Sequence, residues 1–517
     1  MNKNLATPKT IDSGTGAVTA AGTPAYAMGA KLALAQLVST GTFNNTYYSS
    51  GMDQLNQVKM LAAQCDPEFV AKAAVFARQA GYMKDAPAYL CAYLSSMGRS
   101  DLVEKIFPKV IDNTKMLRNY VQMMRSGTTG RKSLGTRPRK LVQNWLGAKT
   151  DSELFRGSIG NSPSLADVIK LSHPKPKTPE REAMYRYFLG KECETSALPL
   201  EVQAFEVFKK DFSSSEETPN VPFEMLTSLP LTKEHWMQVA RRASWTQTRM
   251  NLNTFQRHGV YENKELVNLM ATKLSNPELI KKAKAFPYQL LAAFLNVEPG
   301  MPRELIQALE TAMEHAIDNV PEFLGNTRIF PDVSGSMSSP MMGNRGTVSS
   351  KMTYIDVAAL MAVSVLRKNP GTSEVIPFDT RIHNFSLKSE ETVLQAAARL
   401  RQFGGGGTYC GLPLKMLNER KDEANVCIFV SDNESNVGRG YGTTDVLNEW
   451  NRFSKRNEFA RLICIDLQPG LTTQAPDRED ILNVGGASDS IWNVIRDFSN
   501  TQGRNHWAET IEKIDLN

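Results

Sequence analysis

Apolar residues recur every three or four positions through most of the first 320 residues, the spacing that gives a helix one buried stripe. Phe69, Val70, Ala73, Ala74, Phe76 and Ala77 form one such set, and Ala88, Leu90, Cys91 and Leu94 form the next. Capping residues punctuate the series. Asp85 with Pro87 opens a helix that Gly98 closes, Ser100 opens the following one, and Asn113-Thr114 the one after that. Helix pairs of about 40 residues in succession predict an α-solenoid, although no clean internal repeat is visible in the sequence. Loops rich in Pro and Ser break the series at His173–Pro179 and Asp211–Pro222.

Near residue 326 the period changes. Short β-branched or aromatic runs at Thr327–Phe330, Glu374–Phe378, Asn425–Val430 and Arg461–Leu467 alternate with helical stretches at Tyr354–Arg367, Glu391–Arg401 and Thr444–Asn457. Strands separated by helices mean βαβ crossovers and a parallel, doubly wound sheet, whose ligands bind at the carboxyl ends of the strands at a switch point. The expected organisation is a flexible arm over 1–24, a helical-repeat domain over 25–325 and an α/β domain over 326–517.

Composition narrows the class further. A chain of 517 residues exceeds one core, and no apolar run approaches the ~18 residues of a membrane span. The first sixteen residues offer no apolar stretch for a secretory signal, so a cytoplasmic location is expected. Six cysteines without a CxxC pair read as reduced, mostly buried thiols. Charge is distributed unevenly: residues 326–517 carry 21 Lys and Arg against 23 Asp and Glu, whereas 1–325 carry 39 against 31. Lys115–Lys149 holds nine basic residues and no acid, and His235–Tyr261 is a second acid-free run containing Arg241, Arg242, Arg249 and Arg257. Such blocks are where a polyanion would bind.

The candidate chemistry lies at three strand ends. Asp332-Val333-Ser334-Gly335-Ser336 follows the first strand of the α/β part, a glycine run delivers Thr408, and another strand ends in Ser431-Asp432-Asn433-Glu434. D-x-S-x-S alone is weak, because these residues make turns everywhere. Together the three elements supply one or two carboxylates and three hydroxyl oxygens, a set suited to a hard divalent cation such as Mg²⁺, with Mn²⁺ as the alternative. The absence of thiol and imidazole ligands argues against zinc. This pattern resembles the metal-ion-dependent adhesion site of von Willebrand factor A domains. The resemblance implies that Asp332, Ser334 and Ser336 bind the ion directly, with Thr408 and Asp432 contributing directly or through water. Pro331, just before Asp332, departs from a plain strand by removing a backbone donor.

The helical half carries further motifs: Asn45-Thr46-Tyr47-Tyr48, Lys84-Asp85-Ala86-Pro87-Ala88, a basic helix ending in Trp145, and Leu171-Ser172-His173-Pro174-Lys175-Pro176. With Gly406-Gly407-Thr408-Tyr409-Cys410-Gly411-Leu412-Pro413 in the α/β part, they make the chain similar to the Ro autoantigen (TROVE) family, and to a bacterial member because its arm and linkers are short and plain. The family implies HEAT-like helical repeats closed into a ring by the A domain. It also implies Y-like small RNA on an outer basic face and single-stranded 3′ ends of misfolded noncoding RNA in the central hole. A monomeric ring in RNA quality control, serving an exonuclease such as polynucleotide phosphorylase, follows from the same likeness. Carried over by position, His173 and Lys175 fall in the stretch implicated in Y RNA binding; Arg131, Lys132, Arg137, Arg139 and Lys140 fall in the basic helix region, and Arg249 in a segment near the hole.

Simpler readings compete at each of these places. His173 could be a loop residue capping a helix, the basic block a solvated face, and Tyr120 and Trp145 core residues rather than stacking platforms. Three functions are weighed: a non-catalytic RNA-binding ring, a metal-dependent protein-binding adaptor with RNA incidental, and a metal-dependent nuclease. The nuclease is disfavoured because two-metal phosphoryl chemistry wants a carboxylate cluster, and here the ligands are mostly hydroxyls. No phosphate-binding G-x-x-x-x-G-K-[ST] loop and no Cys-His or Ser-His-Asp order supports an enzyme. The expectation is no enzymatic activity.

Overall fold

Short runs of Val, Ile, Phe and Cys become the strands of a parallel sheet because both of their faces are buried. A computed structural model of the chain describes residues 16–19, 22–40, 51–212, 215, 217–341, 351–435, 444–468, 470–476, 478–486, 490–500 and 507–517. Residues 1–15 of the expected arm and the Asn45-Thr46-Tyr47-Tyr48 motif lie outside the described residues. In chain order the strands are β1 (Gly16–Val18), β2 (Pro24–Ala27), β3 (Thr327–Pro331), β4 (Ser373–Val375), β5 (Val426–Ser431), β6 (Arg461–Asp466), β7 (Thr472–Thr473) and β8 (Ile481–Gly485). The chain divides into two compact units, one of Met1–Gln64, Ala271–Pro299 and Arg303–Lys513, the other of Cys65–Met270, Gly300–Pro302 and Ile514–Asn517.

The first unit is built on a five-stranded parallel sheet in the order β4-β3-β5-β6-β8. Its helices follow the strands, as parallel crossovers require. Tyr354–Lys368 joins β3 to β4 and is buried from Tyr354 through Val365, so its composition of Ala, Val, Leu and Met is apolar all round. Phe330, Phe378 and Phe429 pack together on one face with Trp450 and Phe453, which stack at 5.6 Å. The order reverses between β3 and β5, so the crevice at their carboxyl ends is the switch point. Pro331 is accommodated because its missing N–H faces the β4 flank, where its carbonyl still accepts from Phe378 N at 3.1 Å beyond the end of β4.

Part of the stretch read from the sequence as an arm is paired in this unit. β1 and β2 form an antiparallel hairpin, and β2 pairs with β7. The helix Ala30–Thr40 packs on Gly51–Gln64, on β8 and on the helix Trp507–Glu512, with Lys31 and Glu512 ion-paired.

The second unit is helical. Pro67–Gln79 packs on Asp85–Ser96 and Ser100–Val110, and Asp85–Ser96 packs on Thr114–Ser126, so each helix meets its first and second successors as in stacked repeats. The sequence punctuation has its physical counterpart: Asn113 Oδ1 accepts from Met116 N at 3.0 Å as an N-cap, and Gly98 takes φ +78° after the helix end, letting Arg99 N reach Leu94 O at 3.1 Å. Asp85 lies one residue inside its helix rather than at the cap, and its carboxylate accepts from Asn119 Nδ2 at 2.7 Å. The fold class read from the sequence, helical repeats followed by a doubly wound α/β domain, is the one the chain adopts.

Candidate functional site

The switch point gathers the three sequence elements expected to hold a cation. Asp332 stands directly after β3, with its own N–H bonded to Val430 O of β5 at 2.9 Å. Its carboxylate is fully buried: Oδ1 accepts from Ser334 N at 2.8 Å and Oδ2 from the Ser431 hydroxyl at 2.7 Å. Ser334 Oγ lies 3.2 Å from Ser336 Oγ. The glycine run is tied to the same loop by Gly335 N to Gly406 O at 2.9 Å and Gly405 N to Val333 O at 2.8 Å. Gly404 takes φ +81°, and a Cβ there would fall 2.0 Å from Val333 O, so only glycine allows this approach. Asp332, Ser334, Thr408 and Asp432 are buried, whereas Ser336 is half-buried beside exposed Gly335. The opening of the site is therefore on the Ser336 side.

Electrostatics test whether a dication suits this cradle. Burial pushes the Asp332 carboxyl above its ordinary range, and the neighbouring Asp432 carboxylate pushes it further, while the Ser431 and Ser334 bonds act in the opposite direction. Asp466, at the end of β6, is also raised by burial and by Asp432 and Glu434. The leading influences on both groups are burial, neighbouring acids and hydrogen bonds. Buried like charges in one crevice are costly, and a divalent ion offsets them. The donor set of carboxylate and hydroxyl oxygens fits Mg²⁺ or Mn²⁺. Among the described residues no cluster of three or more His, Cys, Asp or Glu stands in metal-binding array.

Two residues the sequence reading did not assign help to position this cradle. Ser431 bridges β5 to Asp332, and its oxygen also accepts from Asn433 N at 3.0 Å. Asp379, after the strand that the sequence placed at Glu374–Phe378, accepts from Gly406 N at 3.3 Å and Arg381 N at 2.9 Å, while its carbonyl accepts from Tyr409 N at 3.1 Å. His383 Nε2 lies 3.2 Å from the same carboxylate. Burial raises the Asp379 carboxyl, but these bonds outweigh it and the group lies below its ordinary value. Thr408 is thus held between two bonded neighbours, Gly406 and Tyr409.

The basic residues of the helical unit fall into distinct settings. Lys132, Arg137, Arg139 and Lys140 are exposed and Arg131 is half-buried, with Arg137, Arg139 and Lys140 on the helix Thr136–Ala148. Among the described residues none of these five meets a carboxylate; Arg137 Nη1 donates to Ser100 Oγ at 3.0 Å. Gln143, one turn after Arg139 and Lys140, donates from Nε2 to Ser172 O at 2.7 Å and His173 O at 3.3 Å. That bond joins the basic helix to the loop bearing exposed His173 and Lys175. His173 closes the helix Leu165–Ser172 with φ +50°, a left-handed conformation in which glycine is favoured. Arg249 belongs to another helix, Trp245–Met250, where its guanidinium lies 5.7 Å from the Trp245 ring. Tyr120 and Trp145 are core residues: Tyr120 bonds Ser95 at 2.9 Å, and the Trp145 indole donates to Ile111 O.

The parallel sheet, its strand order and the loop geometry at its switch point define a von Willebrand factor A domain joined to a helical-repeat unit. A sequence model of the Ro60 vWA domain matches residues 329–499. The RNA-binding protein RO60 of Deinococcus radiodurans is 24% identical over 364 residues, an alignment covering 65% of this chain and 66% of that protein. The crystal structure of the Deinococcus radiodurans RO (RSR) protein superposes with a TM-score of 0.64 at 18% identity, covering 91% of this chain and 99% of that one. Residues 329–499 thus match a von Willebrand factor A domain of the Ro60 type, and the chain as a whole is similar to bacterial Ro proteins.

Proposed function

We propose that the protein is a non-catalytic RNA-binding ring of the Ro type. In this reading a small structured Y-like RNA lies on the basic face, and single-stranded 3′ ends of misfolded noncoding RNA enter a central hole closed by the A domain. The observation that carries it is the junction of the helix Thr136–Ala148 with the Leu171–Pro176 loop. Among the described residues exposed Arg139 and Lys140 meet no acid, and Gln143 fixes the His173 backbone beside them. Cations held on a rigid helix contact phosphates, and a loop imidazole supplies a contact other than charge. The name of the Deinococcus relative supports the same reading. In the cytoplasm a monomeric ring of this kind presents noncoding RNA to a processing exonuclease such as polynucleotide phosphorylase.

The metal centre is part of the proposal. Asp332, Ser334, Ser336, Thr408 and Asp432 would hold Mg²⁺, or Mn²⁺, which when bound offsets the buried carboxylate charge. Isolation of the protein from its own cells and sequencing of the bound RNA tests the function. Small structured noncoding RNAs should be enriched, and an Arg139→Glu/Lys140→Glu variant should lose them. A protein that carries no RNA, or a variant that carries the same RNA, overturns the assignment.

A further inference from the structure

The helical unit contains a second cation-lined recess, which shares no lining residue with the face described above. Its volume is about 180 Å³, and its wall is formed in part by Arg156, Asn220, Phe223, Arg242 and Gln247. The floor is apolar, with Val221, Leu226 and Val239 buried. Phe223 is half-buried and fixed edge-on by Trp236 at 5.8 Å and Phe255 at 6.1 Å. Both arginines are anchored to the loop that borders the recess. Arg156 Nη2 donates to Asn220 O at 2.9 Å, and Arg242 Nη1 donates to Thr218 O at 3.0 Å. Thr218 is held in turn by Gln238 Oε1, which accepts from its N–H at 2.9 Å and its hydroxyl at 3.1 Å.

These bonds orient each guanidinium while leaving most of its five donors for other partners. Arg156 is partly neutralised by Glu201 at 2.7 Å, whereas Arg242 meets no carboxylate among the described residues. Gln247 Oε1 accepts from Ser244 N at 2.9 Å as part of a capping box, so the group with which this lining side chain can meet a ligand is its amide NH₂. A recess well below the ~300–1,000 Å³ of drug-sized sites suits one planar ring with an anionic group attached. Guanidinium donors suit a phosphate, an aromatic edge and apolar floor suit a base, and side-chain amides suit the polar edge of that base.

We propose that this recess takes a single nucleotide unit, with its phosphate on Arg242 and Arg156 and its base against Phe223. The inference rests on the RNA-binding reading and extends it to residues outside the basic helix and the Leu171–Pro176 loop. A free ribonucleoside monophosphate and one residue of an RNA strand share this chemistry, so both serve as probes. The full-length protein is titrated calorimetrically with AMP, with UMP and with a ten-nucleotide single-stranded RNA, alongside Arg242→Gln and Gln247→Glu. Gln247→Glu keeps the acceptor for Ser244 N and with it the capping box, which takes Glu or Gln at this position, so its melting temperature should hold or rise. Its new carboxylate should nevertheless weaken nucleotide binding about tenfold or more, as should loss of the Arg242 fork.

Loss of both mononucleotide and RNA affinity in the two variants, or of RNA affinity alone, identifies the ligand as a residue of an RNA strand. Loss of mononucleotide affinity with RNA binding intact identifies a free nucleotide. Unchanged affinity of both variants for every probe that the parent protein binds overturns the proposal, as does the absence of saturable binding of any probe. If AMP binds the recess while no RNA binds the parent protein, the RNA-binding reading fails and the nucleotide site stands.

Discussion

Reversal of Arg139 and Lys140 to glutamate is the sharpest test of where RNA binds. Both side chains are exposed and meet no carboxylate among the described residues, so their charge is available to phosphates. With Lys132, Arg137 and Lys175 they make five exposed cations on the helix and its flanking loops. If each neutralises one phosphate of a structured RNA, the slope of log affinity against log salt should be about −0.9 per contact, or about −4.5 in all. The double reversal removes two contacts and adds repulsion, so the slope should flatten to about −2.7 or less. Stability should change little, because exposed side chains away from caps and packing contribute within about 0.5 kcal/mol. Filter binding of a structured small RNA at four salt concentrations, with melting curves of both proteins, measures these quantities. An unchanged slope in a folded variant would mean that the helix is only a solvated surface.

Other perturbations separate the remaining parts of the reading. Saturating Mn²⁺ at about 100 times its Kd should stabilise the wild type by about 2.7 kcal/mol in thermal melts, and Asp332→Asn should remove that gain; equal gains in both proteins would place the ion elsewhere. The Asp332 carboxyl is raised in the folded, metal-free protein, so the folded state retains a proton that the unfolded chain releases. That contribution to stability is full below the ordinary carboxylate range of about pH 4 and is lost as pH rises through the folded value, so in chelator the wild type should lose stability relative to Asp332→Asn between pH 5 and 8. Mn²⁺ should reverse this trend because it competes with the proton; chelator curves for the two proteins that run parallel across that range would refute the assignment. His173→Gly should keep or slightly raise the melting temperature by relieving the φ +50° backbone, yet should weaken binding of the structured RNA without altering the salt slope; a variant that binds as well as wild type would make His173 a plain cap.

The fold was readable where the chain obeys a strong local period. The run Val426–Val430 has both faces buried, so its continuous apolar string marked a central strand. The change from a period near 3.6 to short β-branched runs at Thr327 marked the entry to the sheet. The fifth strand, β8, escaped because Asn483 interrupts its apolar run Ile481-Leu482-Asn483-Val484; that asparagine is buried and donates to Ala475 O at 3.1 Å. β1, β2 and β7 are two to four residues long, and the pairing of β2 with β7 joins positions more than 440 residues apart. No local pattern carries such a pairing, because short antiparallel strands gain their stability only from partners.

The candidate site divides along similar lines. Asp332, Ser334 and Ser336 were visible because one tight loop presents them at alternate positions, and Thr408 because glycines allow its loop to approach β3 closely. The residues that aim these side chains were harder to see, since they act through bonds between distant parts of the chain. Asp379 acts on backbone N–H groups of the glycine run, and Gln143 acts on the carbonyls of Ser172 and His173. A backbone group is present at every position, so nothing in the sequence distinguishes the ones these side chains reach. Ser431 was closer to discovery, since it stands beside Asp432 in a stretch already singled out. Its role is clear only once β3 and β5 are adjacent, with Pro331 opposite Val430 and the Ser431 hydroxyl on the Asp332 carboxylate. Adjacency of this kind is a property of strand order, and strand order places residues 99 apart in sequence within one hydrogen bond.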